Sequence, residues 1–340
     1  MMRFTELRRR LRPFRLKYWA WRLQAYLSTI FDSCPPDYDV VFVLDDRFKG
    51  WILEAICREI ADRLRVRWTF HYSCDHLPRS STYWFSHYAH VPECLQRNAC
   101  LWRSYRIVFF THLADDWGLT DEQMVYALNQ ADRVILMCTQ FRSLLESKGL
   151  NRNKSVVLFA GADSNFFPFH ERGGGVVGFC SAFYPRKSPD LVLEIVRAMP
   201  HRRFLLLGRN WNQYERMAEL CECHNFEYVE APYAEYPRYY GDMDVFVSAA
   251  TLEGGPIPLL EAMMCNVVPV ASTTGFAPDL IEHGKNGFLF SAGCQLAIVV
   301  EYIESAFALD TNVRASVEHL TWDRFAENVS DLVVVRQETR

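Results

Sequence analysis

Glu253 and Glu261 stand eight positions apart in the stretch TLEGGPIPLLEA, with Gly254, Gly255, Pro256, Ile257 and Pro258 between them. Two carboxylates around a glycine-proline loop suit a ligand that carries both hydroxyls and phosphate. Residues 245–250 (VFVSAA) read as a short buried strand, and residues 259–265 as a helix with Pro258 suited to its first turn. A helix start offers unpaired N–H groups and a positive dipole end, which favour phosphate. The glycines let a ligand come close to bare backbone. Glu261 is expected in the first helical turn, where its carboxylate can accept from sugar or ribose hydroxyls. The competing reading is that Glu261 only complements the helix dipole and that the glycines only make a turn.

Residues 253–290 resemble the donor-site signature of the group 1 (family 4-like) glycosyltransferases. Glu253, Glu261, the strand 269–272, Gly275, Pro278, Asp279, Asn286, Gly287 and Phe288 fall in register with that family's pattern. The resemblance implies retaining enzymes of the GT-B fold: α/β, two Rossmann-like doubly wound domains facing a central cleft. It implies that Glu261 holds ribose hydroxyls and that Glu253 contacts the donor sugar, with Gly254, Gly255 and Ile257 presenting backbone amides. Upstream, SAFYPRKSPDLVL is similar to the family's diphosphate-gripping segment, with Lys187 on its lysine. The family's arginine, five residues earlier, is Ala182 here, and Arg186 is the neighbouring cation able to substitute. Gly208 matches the end of a Val-Gly-x-Gly strand. His112, just after the strand 105–110, is implied to touch the donor sugar. Lys49 and Gly50 stand where the family has a glycine-rich acceptor-side loop, although only one glycine is present. Gly161, Asp163 and Phe167 match the segment that leads to the interdomain linker. The stretch ending at Trp322 resembles the start of a helix that crosses back to the first domain. The likeness is close over 155–330, thinner over 35–155 and absent over 1–35.

The elements that must position these residues follow from periodicity. Buried-strand patterns occupy 39–44, 69–72, 105–110, 133–137 and 155–159, with helical spacing over 51–64, 121–130 and 139–148. Residues 77–100 have poor periodicity and read as a loop-helix region, in which His87 and His90 are expected in a loop or at the surface. After a glycine- and charge-rich linker at 170–175, strands are expected at 176–180, 203–207 and 228–230, and helices at 214–223, 294–308 and 323–335. The expected domains are a basic aromatic segment 1–34, an acceptor-side domain 35–170, a donor domain 171–318 and a return helix 319–340. Asp45-Asp46 is read as a solvated turn rather than a metal pair, and Asp115-Asp116 as a loop pair rather than one that faces the acceptor. Asp242-Met243-Asp244 mimics a metal-binding Asp-x-Asp, but it directly precedes a strand that it is expected to cap. Cys221, Cys223 and His224 lack a second ligand cluster for zinc.

Composition narrows the classes. A chain of 340 residues, 50% hydrophobic and 14% aromatic, has the length and apolar content for two cores. A net charge of −4 gives no sign of a nucleic-acid partner. Eleven cysteines without paired spacing suggest reduced thiols in the cytoplasm, and Arg22 and Gln24 interrupt any signal-peptide core. Residues 1–28 carry eight Lys or Arg against one Glu, interleaved with aromatics. Such a segment either contacts the inner face of a membrane or packs as a solvated helix, and Pro13 breaks it. The expected function is metal-independent transfer of a sugar from a UDP- or GDP-linked donor to a glycan or lipid-linked acceptor, as in polysaccharide biosynthesis, with no cofactor. Ala182 favours a catalytically silent nucleotide-sugar-binding protein as an alternative, and a nucleotide-sugar epimerase shares the implied two-domain shape.

Overall fold

The computed structural model describes residues 36–113 and 118–334, except for the side chains of Phe48 and Val334. The basic segment 1–34, Asp115 and Asp116, and residues 335–340 of the expected return helix lie outside the described residues. The described residues divide into two units, one comprising 36–113, 118–136, 142–158 and 326–334, the other 137–141 and 159–325.

The first unit is built on β1 (Tyr38–Val43), β2 (Trp68–His71), β3 (Ser80–Phe85), β4 (Tyr105–Phe110), β5 (Arg133–Leu136) and β6 (Ser155–Val157). They form one sheet in the order β2-β1-β3-β4-β5-β6, parallel throughout. A parallel sheet is covered on both faces, so its central strands are continuous apolar runs rather than alternating ones. Val41–Val43 of β1 and Ile107 and Val108 of β4 are accordingly inaccessible to solvent. The helix Ile52–Ala61 turns Ile56, Cys57, Ile60 and Ala61 inward at helical spacing. Asp121–Asn129 starts at a capping box, in which Thr120 and Gln123 satisfy each other's backbone N–H.

One expectation holds only in part: the helix His90–Arg97 lies within 77–100, but so does a strand. The stretch 77–100 holds β3, which lies between β1 and β4 in the sheet. Its sequence, SSTYWF, opens on hydroxyls that break an apolar pattern. The Ser80 hydroxyl is absorbed locally, donating to the Thr82 carbonyl at 2.8 Å, and the Tyr83 phenol donates to the Pro78 carbonyl at 2.7 Å. Tyr83, Trp84 and Phe85 are then free to bury completely. His87, in the loop after β3, and His90, at the start of the helix His90–Arg97, are both buried, at 8% and 5% exposure, rather than at the surface.

The second unit carries β7 (Val176–Cys180), β8 (Arg203–Leu207), β9 (Phe226–Val229), β10 (Val245–Ser248), β11 (Val268–Ser272) and β12 (Phe288–Phe290), all parallel, in the order β12-β11-β10-β7-β8-β9. The order reverses between β7 and β10. In open sheets of this kind, the crevice beyond the carboxyl ends of the strands at such a point is where ligands bind. The expected helix over 214–223 is shorter, Met217–Cys221, because Trp211–Gln213 forms a separate 3-10 turn whose Trp211 is buried. The expected helices over 294–308 and 323–335 run Leu296–Phe307 and Trp322–Val334.

Asp244 supports the entry to β7. It is 6% exposed, and its carboxylate accepts from the N–H groups of Gly173 (2.7 Å), Gly174 (3.3 Å) and Gly175 (2.5 Å). The Asp-x-Asp triplet therefore has its second carboxylate committed to backbone. Asp244→Ala leaves three N–H groups without their charged acceptor and is expected to cost about 2–3 kcal/mol. The check is a lowered urea midpoint with an unchanged slope.

Candidate functional site

The strands β7 and β10 flank the reversal of the second sheet, and the segments leaving them meet. Residues Pro185–Lys187 form a 3-10 turn closed by Ser188 in the left-handed region, at φ 55°. The Arg186 carbonyl accepts from the Thr251 N–H at 2.8 Å and from its hydroxyl at 3.3 Å, which ties this turn to the loop after β10. The tie brings three charged side chains together. Lys187 Nζ pairs with Glu253 Oε1, and Arg186 Nη1 lies 3.1 Å from the same oxygen while also donating to the Leu252 carbonyl at 3.0 Å. Glu253 is only 6% exposed. A carboxylate so deep requires cationic or hydrogen-bonding partners. Two cations on one carboxylate leave a formal surplus of one positive charge.

Four residues on, the helix Ile257–Met264 begins with Pro256 as its N-cap and Pro258 in its first turn, where a missing N–H costs nothing. The helix thus starts two residues before the expected 259. Glu261 is consequently its fifth residue, past the first turn, and does not serve as a dipole complement there. Gly255 is held close by Met137, whose Cε would lie 2.2 Å from a Cβ at that position. Gly208 has a packing duty of its own: at φ 153°, with the Ser181 carbonyl oxygen 1.9 Å from any added Cβ, it lets the carboxyl ends of β7 and β8 approach. Cys180, Ser181, Lys187, Trp211, Ala250 and Pro256 are among the residues around a cavity of about 30 Å³. Asp279 has its carboxylate engaged by Thr139, through the backbone N–H at 3.0 Å and the hydroxyl.

Glu261 is 2% exposed, and no cation pairs with it among the described residues. Instead, Tyr233 donates to Oε1 at 2.7 Å and Tyr240 to Oε2 at 2.8 Å. Burial pushes its carboxyl up to about 7, with the two phenols opposing the shift. Neither tyrosine is marked by the sequence reading. Their signal is the aromatic run YAEYPRYY at 233–240, whose fold partners only the structure shows.

The first unit holds the remaining candidates. His112 follows β4, its Nδ1 3.0 Å from the Leu113 carbonyl oxygen. The Lys49 ammonium sits 5.0 Å over the Tyr72 ring, and the Gly50 N–H donates to Glu54 Oε2 at 2.6 Å, so that amide is already engaged. Asp45 caps its own turn and chelates Arg47 at 2.9 and 2.7 Å. Desolvation, then the neighbouring His90 and His112, press the His87 imidazole down to about 3. Among the described residues no three His, Cys, Asp or Glu side chains are grouped to hold a metal ion, and no helix is long and apolar enough to cross a membrane.

Residues 163–318 match the family model described as Glycosyl transferases group 1. No curated protein matches the chain significantly. Solved structures do. Anabaena HepE in complex with UDP aligns at a TM-score of 0.72 and 15% identity over 87% of this chain and 100% of that one. The same protein with UDP-glucose aligns at 0.69 and 15%, over 89% and 100%. Sucrose-phosphate synthase from Thermosynechococcus elongatus aligns at 0.71 and 14%, over 89% and 100%. The lipopolysaccharide outer core galactosyltransferase WaaB aligns at 0.66 and 10%, over 88% and 99%. At such identities the likeness shows the fold class: two parallel α/β sheets, as in the GT-B fold.

The raised Glu261 carboxyl has a stability consequence. Because the folded state holds that proton more tightly than the unfolded chain, the contribution is complete below about pH 4.5 and is lost as pH rises through about 7. Wild type is therefore expected to lose thermal stability relative to Glu261→Gln across that window. Melting curves of both proteins from pH 4.5 to 8 check it, and a constant difference between them would contradict it.

Proposed function

We propose that the protein is a glycosyltransferase that moves a sugar from a UDP- or GDP-linked donor to a hydroxyl of a glycan or lipid-linked acceptor. On this reading it acts without a metal ion and with retention of anomeric configuration. The observation that carries the reading is the convergence of Lys187 and Arg186 on Glu253 at the carboxyl end of β10, just before a helix start. The family match over 163–318 and the UDP and UDP-glucose bound to HepE support a nucleotide-sugar ligand.

The chemistry follows from charge. When the bond from the sugar to the diphosphate breaks, negative charge builds on the leaving phosphate, and fixed positive groups in a partly dry site stabilise it most. Lys187 supplies an ammonium. Arg186 supplies the guanidinium fork that Ala182 cannot, and a planar fork matches phosphate oxygens in pairs. Once phosphate takes the cations, Glu253 turns its carboxylate to the sugar hydroxyls. Glu261 accepts from ribose hydroxyls. Gly254, Gly255 and Ile257 offer backbone amides to sugar or phosphate. The assignment of His112 to the donor sugar, and of Lys49 and Gly50 to the acceptor side, rests on the resemblance alone. Independence from metal is supported by Asp244, whose carboxylate is spent on Gly173–Gly175.

Incubation with UDP- and GDP-sugars and a mixed glycan and lipid acceptor panel is expected to release nucleoside diphosphate and label an acceptor, with no loss of rate in excess EDTA. Lys187→Ala is expected to lower kcat/KM about 100- to 1,000-fold, and Arg186→Ala about 10- to 100-fold. Conversion of the donor into a different nucleotide sugar would mark an epimerase. Binding without turnover would mark the silent protein that Ala182 favours.

A further inference from the structure

The two partners of Glu261 have unlike standing. Tyr240 is fully buried and ringed by Phe167, Phe246 and Tyr236 at 5.7, 6.1 and 6.4 Å between ring centroids. It cannot leave without opening the core. Tyr233 is 49% exposed and rides on a three-residue 3-10 turn after β9. Its ring packs against Phe166, itself 36% exposed, at 5.3 Å, against Tyr236 at 5.3 Å and edge-on to Phe167 at 6.1 Å, and its outer face stays open. Its hydroxyl nonetheless serves a carboxylate that is 2% exposed. A buried carboxylate left short of a donor is costly, so whatever displaces Tyr233 must bring a hydroxyl of its own.

We propose that Tyr233 is the displaceable partner of Glu261, its hydroxyl holding the carboxylate until a ribose hydroxyl of the nucleotide takes that place and returning when the nucleoside diphosphate leaves. This rests on the donor-site reading above and adds a positioning residue to it. The exchange of one hydroxyl for another keeps Glu261 satisfied in both states. It also makes Tyr233 a competitor of the ligand, which lowers the affinity for product and eases its release. No chemical step is involved; the hydrogen bonds alone change hands.

The test is calorimetric titration of wild type, Tyr233→Phe and Glu261→Gln with UDP and GDP, and with their 2′,3′-dideoxy forms. Removing the competitor is expected to tighten binding of the ribonucleotide about three- to tenfold, the worth of one hydrogen bond. The dideoxy form should gain little, so the ratio of ribo to dideoxy affinity widens, which a merely structural tyrosine would not produce. Equal weakening of both ligands would overturn the proposal, as would an unchanged affinity and ratio. Tyr233→Leu reads the same exchange should the phenylalanine variant not fold. If wild type binds neither diphosphate, or Glu261→Gln keeps the wild-type ratio, the donor-site reading itself fails and takes this proposal with it. A flat result for Tyr233→Phe alone sinks only the role of Tyr233.

Discussion

A carboxylate shared by two cations, Glu253 between Lys187 and Arg186, is the constraint around which the second unit is arranged. Withdrawn from water, Glu253 is tolerable only while positive charge faces it. Holding both cations there requires the segment after β7 to lie against the loop after β10. Several features serve that contact. The Arg186 carbonyl is fastened by Thr251, and Ser188 accepts a left-handed backbone to turn the chain into the following helix. Gly208 gives up a side chain so that the backbone at Ser181 can pass. Ser188 departs from ordinary backbone, and the three features lie on the segments that leave β7, β8 and β10.

The two glutamates of the loop are set in contrasting surroundings. Glu253 faces cations, Glu261 faces phenolic hydroxyls, and the glycine-proline loop with the first turn of the following helix separates them. A group that faces cations suits exchange with phosphate, because the cations can change partner without losing charge compensation. A group that faces hydroxyls suits exchange with a diol, because the donors are alike. A nucleotide sugar carries both functions, diphosphate and ribose, at a roughly fixed separation. The fold thus presents one kind of partner at each end of the loop.

The sequence made much of this legible, for physical reasons. Parallel strands buried on both faces appear as continuous apolar runs, so β4, β7 and β8 stand where YRIVFF, VVGFC and RFLLL place them. The loop between Glu253 and Glu261 declares itself by glycine and proline. The strand β3 was hidden because its hydroxyl-rich start resembles a loop until the backbone carbonyls that absorb those hydroxyls are in view. The helix start was misplaced by two residues because proline marks a first turn without saying which of its positions it fills. Tyr233 and Tyr240 could not be assigned to Glu261 from spacing, since they lie 28 and 21 positions away and meet it only through the fold.

A crystal of the full chain soaked with UDP or GDP tests the central claim most directly. The account predicts diphosphate density within hydrogen-bonding distance of Lys187 Nζ and the Arg186 guanidinium, with the Glu253 carboxylate turned away from at least one of them. Nucleotide bound elsewhere, or bound with the Glu253 pairs untouched, would contradict it.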